Sequence, residues 1–346
     1  RDLREAMEKE RRKVLREINS YLAQAHDTAH EKCMELGFST MEQMWQSLRL
    51  INFQELRKNC EALLSETQDT FSDHLRWLSQ RRAGLDTKKL KRHDVLYIFA
   101  SNEFDRLFPH RDAKELLMDT MEEMGLPYGE IQNLKLEAPE TREATPWPLC
   151  LPLKAPEKVI LFCPPGGGLS RYLSLFQELG RALFYANISA DLPFRFRRVG
   201  EPAIPQSYAF LFGSLLTEPL WLRRNLGIQK EPDLIRAAYV EKLYSVRAQV
   251  GRLIYELEIQ SQAPSGEGSM FRDAMHHATG VDYPEERSLT DIPPWFKSAT
   301  NLLGWNLNAR LRCHLMEEMD EDWFRNPDTG ALLMSIWAKG FRTGLE

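Results

Sequence analysis

The stretch Tyr172-Leu-Ser-Leu-Phe-Gln-Glu-Leu-Gly-Arg-Ala-Leu-Phe-Tyr-Ala-Asn187 constrains this 346-residue chain more than any other. Apolar side chains at Tyr172, Phe176, Leu179, Leu183 and Ala186 recur at helical spacing, which predicts a helix with one buried face. Beside that stripe, Gln177 and Arg181 stand one turn apart and share a face, with Glu178 next to the first. A helix of this kind holds three polar side chains in fixed positions at the margin of a core.

Histidine in place of Gln177 and Arg181 would turn the stretch into H-E-L-G-H. That is the zinc-protease helix, in which two imidazoles one turn apart hold Zn²⁺ and the glutamate is general base to a metal-bound water. The chain keeps the glutamate, Glu178, and lacks both imidazoles. From the glycine-rich approach Pro164-Pro-Gly-Gly-Gly-Leu-Ser-Arg-Tyr172, through Gln177–Asn187, to Ile204-Pro-Gln-Ser-Tyr-Ala-Phe-Leu-Phe212, the chain resembles the thimet oligopeptidase and oligoendopeptidase F family. The resemblance extends to Phe296–Trp305 and Glu321–Pro327, and back to Lys91–Asp94 and Glu103–Pro109.

Members of that family are gluzincins, with two histidine ligands on the motif helix and a glutamate ligand on the next long helix. The resemblance implies a mainly α, zincin-like helical oligopeptidase fold, with a small β-sheet beside the motif helix and a cleft between two lobes. In such a fold the edge strand of the sheet holds extended peptide by backbone hydrogen bonds. The resemblance puts the third ligand position at Gln206, and puts Asn301 where active relatives carry a tyrosine that hydrogen-bonds the developing oxyanion. Gly167, Gly168, Tyr208 and Asn301 are the expected cleft residues.

Catalytic zinc needs about three protein ligands and a water. Glutamine offers only a neutral carbonyl oxygen, and arginine carries a permanent charge with no lone pair to give. With Gln177, Arg181 and Gln206 in the ligand positions, the chain is expected to hold no zinc, and no other cofactor is implied. Loss of the metal leaves Glu178 as an uncompensated carboxylate, which is costly to bury. A guanidinium at i+3 can replace the lost charge, which predicts a Glu178–Arg181 ion pair. The expected function is that of a catalytically inactive, oligopeptidase-like pseudoenzyme binding a peptide or protein partner in its cleft. Two alternatives stay open: a metal-independent enzyme of altered chemistry using Glu178 and Arg181, and an active zinc oligopeptidase with non-standard ligands.

The remaining polar features read as structural. His26-Asp-Thr-Ala-His30 imitates a metal pair at i,i+4, but lies in a charged helix without a family counterpart. The adjacent His276 and His277 cannot share a helical face and suit pendant or capping roles. His93, beside Asp94, suits a structural hydrogen bond. Gly166-Gly-Gly168 lacks the Gly-Lys-Ser/Thr of a phosphate loop and reads as a flexible turn. Arg195, Arg197 and Arg198 read as solvated loop charge, and Trp305, Trp323 and Trp337 as core. No G-x-S-x-G nucleophile motif is present.

A formal net charge of −5 counts against nucleic acid, which calls for a clustered basic face. No apolar run approaches the ~20 residues that span a bilayer. No signal-peptide pattern opens the chain, which begins with Arg1. The five cysteines are scattered without C-x-x-C and suit buried thiols in the cytoplasm. The sequence divides into a helical front lobe, 1–126, and a catalytic-like domain, 127–346, at a proline-rich seam from Pro127 to Pro165. Within the front lobe a helix ends at Gly37, capping boxes at Ser39–Glu42 and Asn52–Glu55 open new ones, and the second of these runs to Arg82. Val159–Cys163 is the predicted strand; Tyr208–Leu216 and Pro232–Ile259 are predicted helices.

Overall fold

The computed structural model describes residues 1–346 apart from 101, 110–112, 139–146, 262–267 and 343–346. It is mainly helical, with one three-stranded sheet among the described residues. The chain forms two compact units, Arg1–Ala100 with Arg236–Leu302, and Ser101–Ile235 with Leu303–Glu346. Neither is a single stretch of chain. Among the described residues no helix is long and apolar enough to cross a membrane.

In the first unit, the helix Asp2–Glu35 stops where Gly37 takes φ +90°, a conformation that glycine adopts without steric cost. The next cap is displaced by one residue from the expected Ser39. Thr40 accepts the N–H of Gln43 at 3.0 Å and opens Met41–Arg49, while the Ser39 N–H donates to the Gln43 side chain at 2.8 Å. Asn52 caps Phe53–Glu66 as its box predicts.

The helix expected to run on to Arg82 is instead two, Phe53–Glu66 and Gln68–Ala83. Arg247, on the helix Pro232–Ser261, explains the break. Its buried guanidinium donates to the Leu64 carbonyl at 2.8 Å, Thr67 Oγ1 at 2.6 Å and the Ala278 carbonyl at 2.7 Å. Leu64 thereby bonds outside its own helix at the point where the ladder would otherwise carry on into Gln68. Burial lowers Arg247 to about 10, so it stays charged at neutral pH. Glu286 fastens the first helix to the 284–291 segment, accepting from Arg12 at 2.8 Å and Arg16 at 2.7 Å. Burial opposes ionisation there, but these donors hold Glu286 down at about 2.

The second unit contains the sheet: β1 (Leu134–Glu137), β2 (Leu149–Lys154) and β3 (Lys158–Phe162), in the order β1-β3-β2. Strand β1 runs parallel and β2 antiparallel to β3. Central β3, the predicted strand, buries Val159, Ile160 and Leu161 in succession, as a strand covered on both faces does. The motif helix, Leu169–Ala186, packs on this sheet and on the helix Ala203–Ser214. All five residues of its predicted stripe are buried. The two helices cross closely at Gly180, where a Cβ would lie 2.3 Å from the Tyr208 carbonyl oxygen. Ala203–Ser214 begins earlier than predicted because Pro205 falls in its first turn, where a missing N–H leaves no intrahelical bond unmade. Trp323 and Trp337 are buried, and Trp305 stacks on Phe210 at 3.9 Å, so the three indoles belong to the core.

Candidate functional site

The start of the motif helix is fixed by its glycine turn. Gly168 has φ +94°, and a Cβ on it would lie 2.8 Å from the Asp105 carboxylate. That carboxylate accepts the Leu169 N–H at 3.0 Å, and the Gly168 N–H donates to the Phe108 carbonyl at 2.9 Å. The turn is therefore closely packed rather than flexible, with Gly167 half-buried between the buried Gly166 and Gly168. Asp105 is a helix cap brought in from a distant segment. Only its place in the Glu103–Pro109 stretch marked it in the sequence.

Further along the helix, Arg181 donates through Nη1 to Glu178 Oε1, making the predicted ion pair, and through Nη2 to Gln206 Oε1 at 2.8 Å. Glu178 Oε2 accepts the backbone N–H of Cys150, on β2, at 3.0 Å. One network thus joins Glu178, Arg181 and Gln206 to the sheet. The Glu178 and Arg181 side chains are 18% and 24% exposed, so the pair is shielded but touches solvent. Gln177 stays outside the network. Its side chain lies against Gly213, where a Cβ would come within 2.8 Å of Gln177 Cγ.

This donor set does not fit zinc. Both Glu178 oxygens and the Gln206 carbonyl oxygen already accept hydrogen bonds, and the Arg181 guanidinium between them has no lone pair. Among the described residues no three His, Cys, Asp or Glu side chains group where they could share a metal ion.

Part of the outer edge of β2 is bonded within the chain. Its Cys150 N–H is taken by Glu178, Pro152 has no N–H, and the Pro152 carbonyl accepts from Arg198 Nη1. Arg198 and Arg197 sit on a short helix, Phe194–Arg198, and Arg197 pairs with Glu157 at 3.1 Å. The arginine cluster read as solvated loop charge is instead helical, and two of its three guanidiniums brace the β2–β3 hairpin.

Tyr208 is buried, stacked on Phe184 at 5.5 Å and edge-on to Trp337 at 5.6 Å, and burial pushes its phenol far above the ordinary range. It is a core residue. Asn301 lies on the helix Lys297–Met319, in the part belonging to the other unit. His93 makes no structural hydrogen bond through Nε2, which is buried without a partner 3.7 Å from Asp94. Both nitrogens of His26 and Nδ1 of His30 are also buried without partners, whereas His276 and His277 are exposed in the last turn of Gly268–Thr279. Cys33, Cys60, Cys150 and Cys163 are buried free thiols, but Cys313 is exposed, against expectation. Burial pushes Cys150 up to about 12, so its thiol beside Glu178 is not a nucleophile at neutral pH.

No family model matches the chain, and no curated protein matches it in sequence. Among solved structures it superposes on the M32 carboxypeptidase from Deinococcus radiodurans R1 with a TM-score of 0.63 and 12% identity, over 100% of this chain and 75% of that one. The fold is metallopeptidase-like. Metallocarboxypeptidase 1 of Trypanosoma cruzi, at 14% identity over 97% of this chain and 74% of that one, has a TM-score of 0.46 and adds nothing to this conclusion. At such identities the likeness is one of fold. It falls on carboxypeptidases, while the residue pattern of 164–212 resembles oligopeptidases.

Proposed function

We propose that the chain is a zinc-free, catalytically inactive relative of the helical metallopeptidases, an oligopeptidase-like pseudoenzyme that binds a peptide or protein partner at the surface around Glu178. One observation carries this reading: a single guanidinium, that of Arg181, bonds both Glu178 and Gln206, the residues that the family resemblance puts in the general-base and third-ligand positions. The charge that zinc would supply is replaced by a side chain that cannot polarise a carbonyl as a Lewis acid does. Glu178 Oε1 is ion-paired with Arg181 and its Oε2 accepts the Cys150 N–H, which leaves fewer acceptor sites for a water and favours the inactive reading over the altered-enzyme one. Fold likeness by itself does not choose among these readings. A peptide bound here would be held by its side chains, because the Cys150 N–H and Pro152 carbonyl on β2 are already taken. The four buried free thiols suit a reducing cytoplasm.

Elemental analysis of the purified chain tests the reading, together with a peptide array scored for both binding and cleavage. The expected outcome is zinc well below one per chain, and peptide capture without cleavage. The combined variant Gln177→His, Arg181→His, Gln206→Glu is expected to take up zinc. Near-stoichiometric zinc in the unaltered chain, or peptide cleavage by it, overturns the proposal.

A further inference from the structure

The first unit contains an open cavity of about 290 Å³ in which hydrogen-bond donors outnumber acceptors. The Tyr244 and Tyr283 hydroxyls, both buried, bond each other at 2.5 Å. Two hydroxyl protons share that one bond, so one O–H remains to be donated. The Arg92 guanidinium lies over the Tyr283 ring, 5.7 Å from its centroid, with Nε buried and making no hydrogen bond. The Asp291 carboxylate stands 4.0 Å from that nitrogen, beyond hydrogen-bond reach. Arg252, also on the wall, makes neither a hydrogen bond nor an ion pair among the described residues. Burial holds the Tyr244 phenol protonated, and Arg92 and Arg252 are both close enough to oppose that shift. Glu241 borders the cavity too, but is already engaged within the chain.

Two guanidiniums and a spare phenolic O–H around one open space are completed by an anionic acceptor. Val95, Phe99 and Ala248 supply apolar lining to the same cavity. The volume is at the small end for organic ligands, which occupy pockets of roughly 300 Å³ upward. A carboxylate presents two coplanar oxygens that match the guanidinium fork. We propose that this cavity binds a small organic carboxylate with an apolar body, its head between Arg92 and Arg252 and its body against Phe99 and Val95. The proposal does not depend on the reading of Glu178.

Isothermal titration of the full chain with hydrocinnamate, with its neutral amide, and with inorganic phosphate tests the site. Saturable binding of hydrocinnamate is expected, with the amide and phosphate each about tenfold weaker or worse. Arg252→Met removes one guanidinium, and Ser245→Phe closes the exposed rim. Each is expected to weaken hydrocinnamate about tenfold, while Arg272→Met, on a neighbouring surface, leaves it unchanged. Circular dichroism and melting temperature establish that the variants fold. Absence of saturable binding, equal binding of the amide or of phosphate, or binding untouched by both Arg252→Met and Ser245→Phe overturns the proposal.

Discussion

Arg181 Nη2 donates to Gln206 Oε1 at 2.8 Å, joining the motif helix to the helix Ala203–Ser214. Arg181 is the donor and Gln206 the acceptor, so the two side chains are complementary to each other. Arg181→Met leaves Glu178 without its cation and Gln206 without its donor. It is expected to lower unfolding stability by about 1–3 kcal/mol. Gln206→Ala is expected to cost less than ~1 kcal/mol, because Arg181 keeps Glu178. Urea unfolding measures both, and a neutral Arg181→Met would show that the network is not holding the two helices together.

Gly180 and Gly213 both lie on the interface of these helices, but they differ in what opposes them. A Cβ at Gly180 meets the Tyr208 backbone at 2.3 Å, whereas one at Gly213 first meets the Gln177 side chain at 2.8 Å. Backbone cannot move aside as a glutamine side chain can. Gly180→Ala is expected to cost roughly 3 kcal/mol or more, and Gly213→Ala less than half of that, in the same unfolding assay.

Glu256, buried in the first unit, accepts the Phe296 N–H at 2.9 Å through Oε1, while its Oε2 has no partner. Burial pushes its pKa up to about 8, against the opposing effects of that hydrogen bond and of Arg49. A carboxyl raised in the folded state contributes stability that is fully present below its unfolded value, near 4.5, and lost as pH rises through 8. Glu256→Gln keeps an acceptor for Phe296 and removes the charge. Its stability is expected to change less between these pH values, and to exceed that of the unaltered chain at pH 9 by on the order of a few kcal/mol. Parallel pH-dependent slopes for the two proteins would refute this.

One thiol is exposed, Cys313, and four are buried, with Cys60, Cys150 and Cys163 pushed up to about 12 by burial. A thiol-disulfide colour assay on native protein is expected to show one fast-reacting cysteine. The remaining four should appear only on unfolding. Two or more fast thiols would contradict the burial.

The motif helix was legible because its apolar stripe and its polar margin have one period, and both are local properties. The Glu178–Arg181 pair was legible for the same reason, since i,i+3 spacing alone brings the two together. Glu178 reaching Cys150 was not, because β2 carries a proline and a mixed pattern that hide a strand. Nor was the break at Thr67. It is imposed by Arg247, far along the chain, and nothing between Asn52 and Arg82 announces it. Tyr208 shows the opposite error, in which a position inside a family-like run was credited with lining a cleft although its ring belongs to the core.

The bonding along the outside of β2 has a consequence for the protein in solution. An uncovered outer strand invites sheet-to-sheet association between molecules, and natural proteins block it with proline or with charged side chains. Here Pro152, the Arg198 guanidinium and the Glu178 carboxylate do so together. Glu178 and Arg198 thereby guard that edge against association.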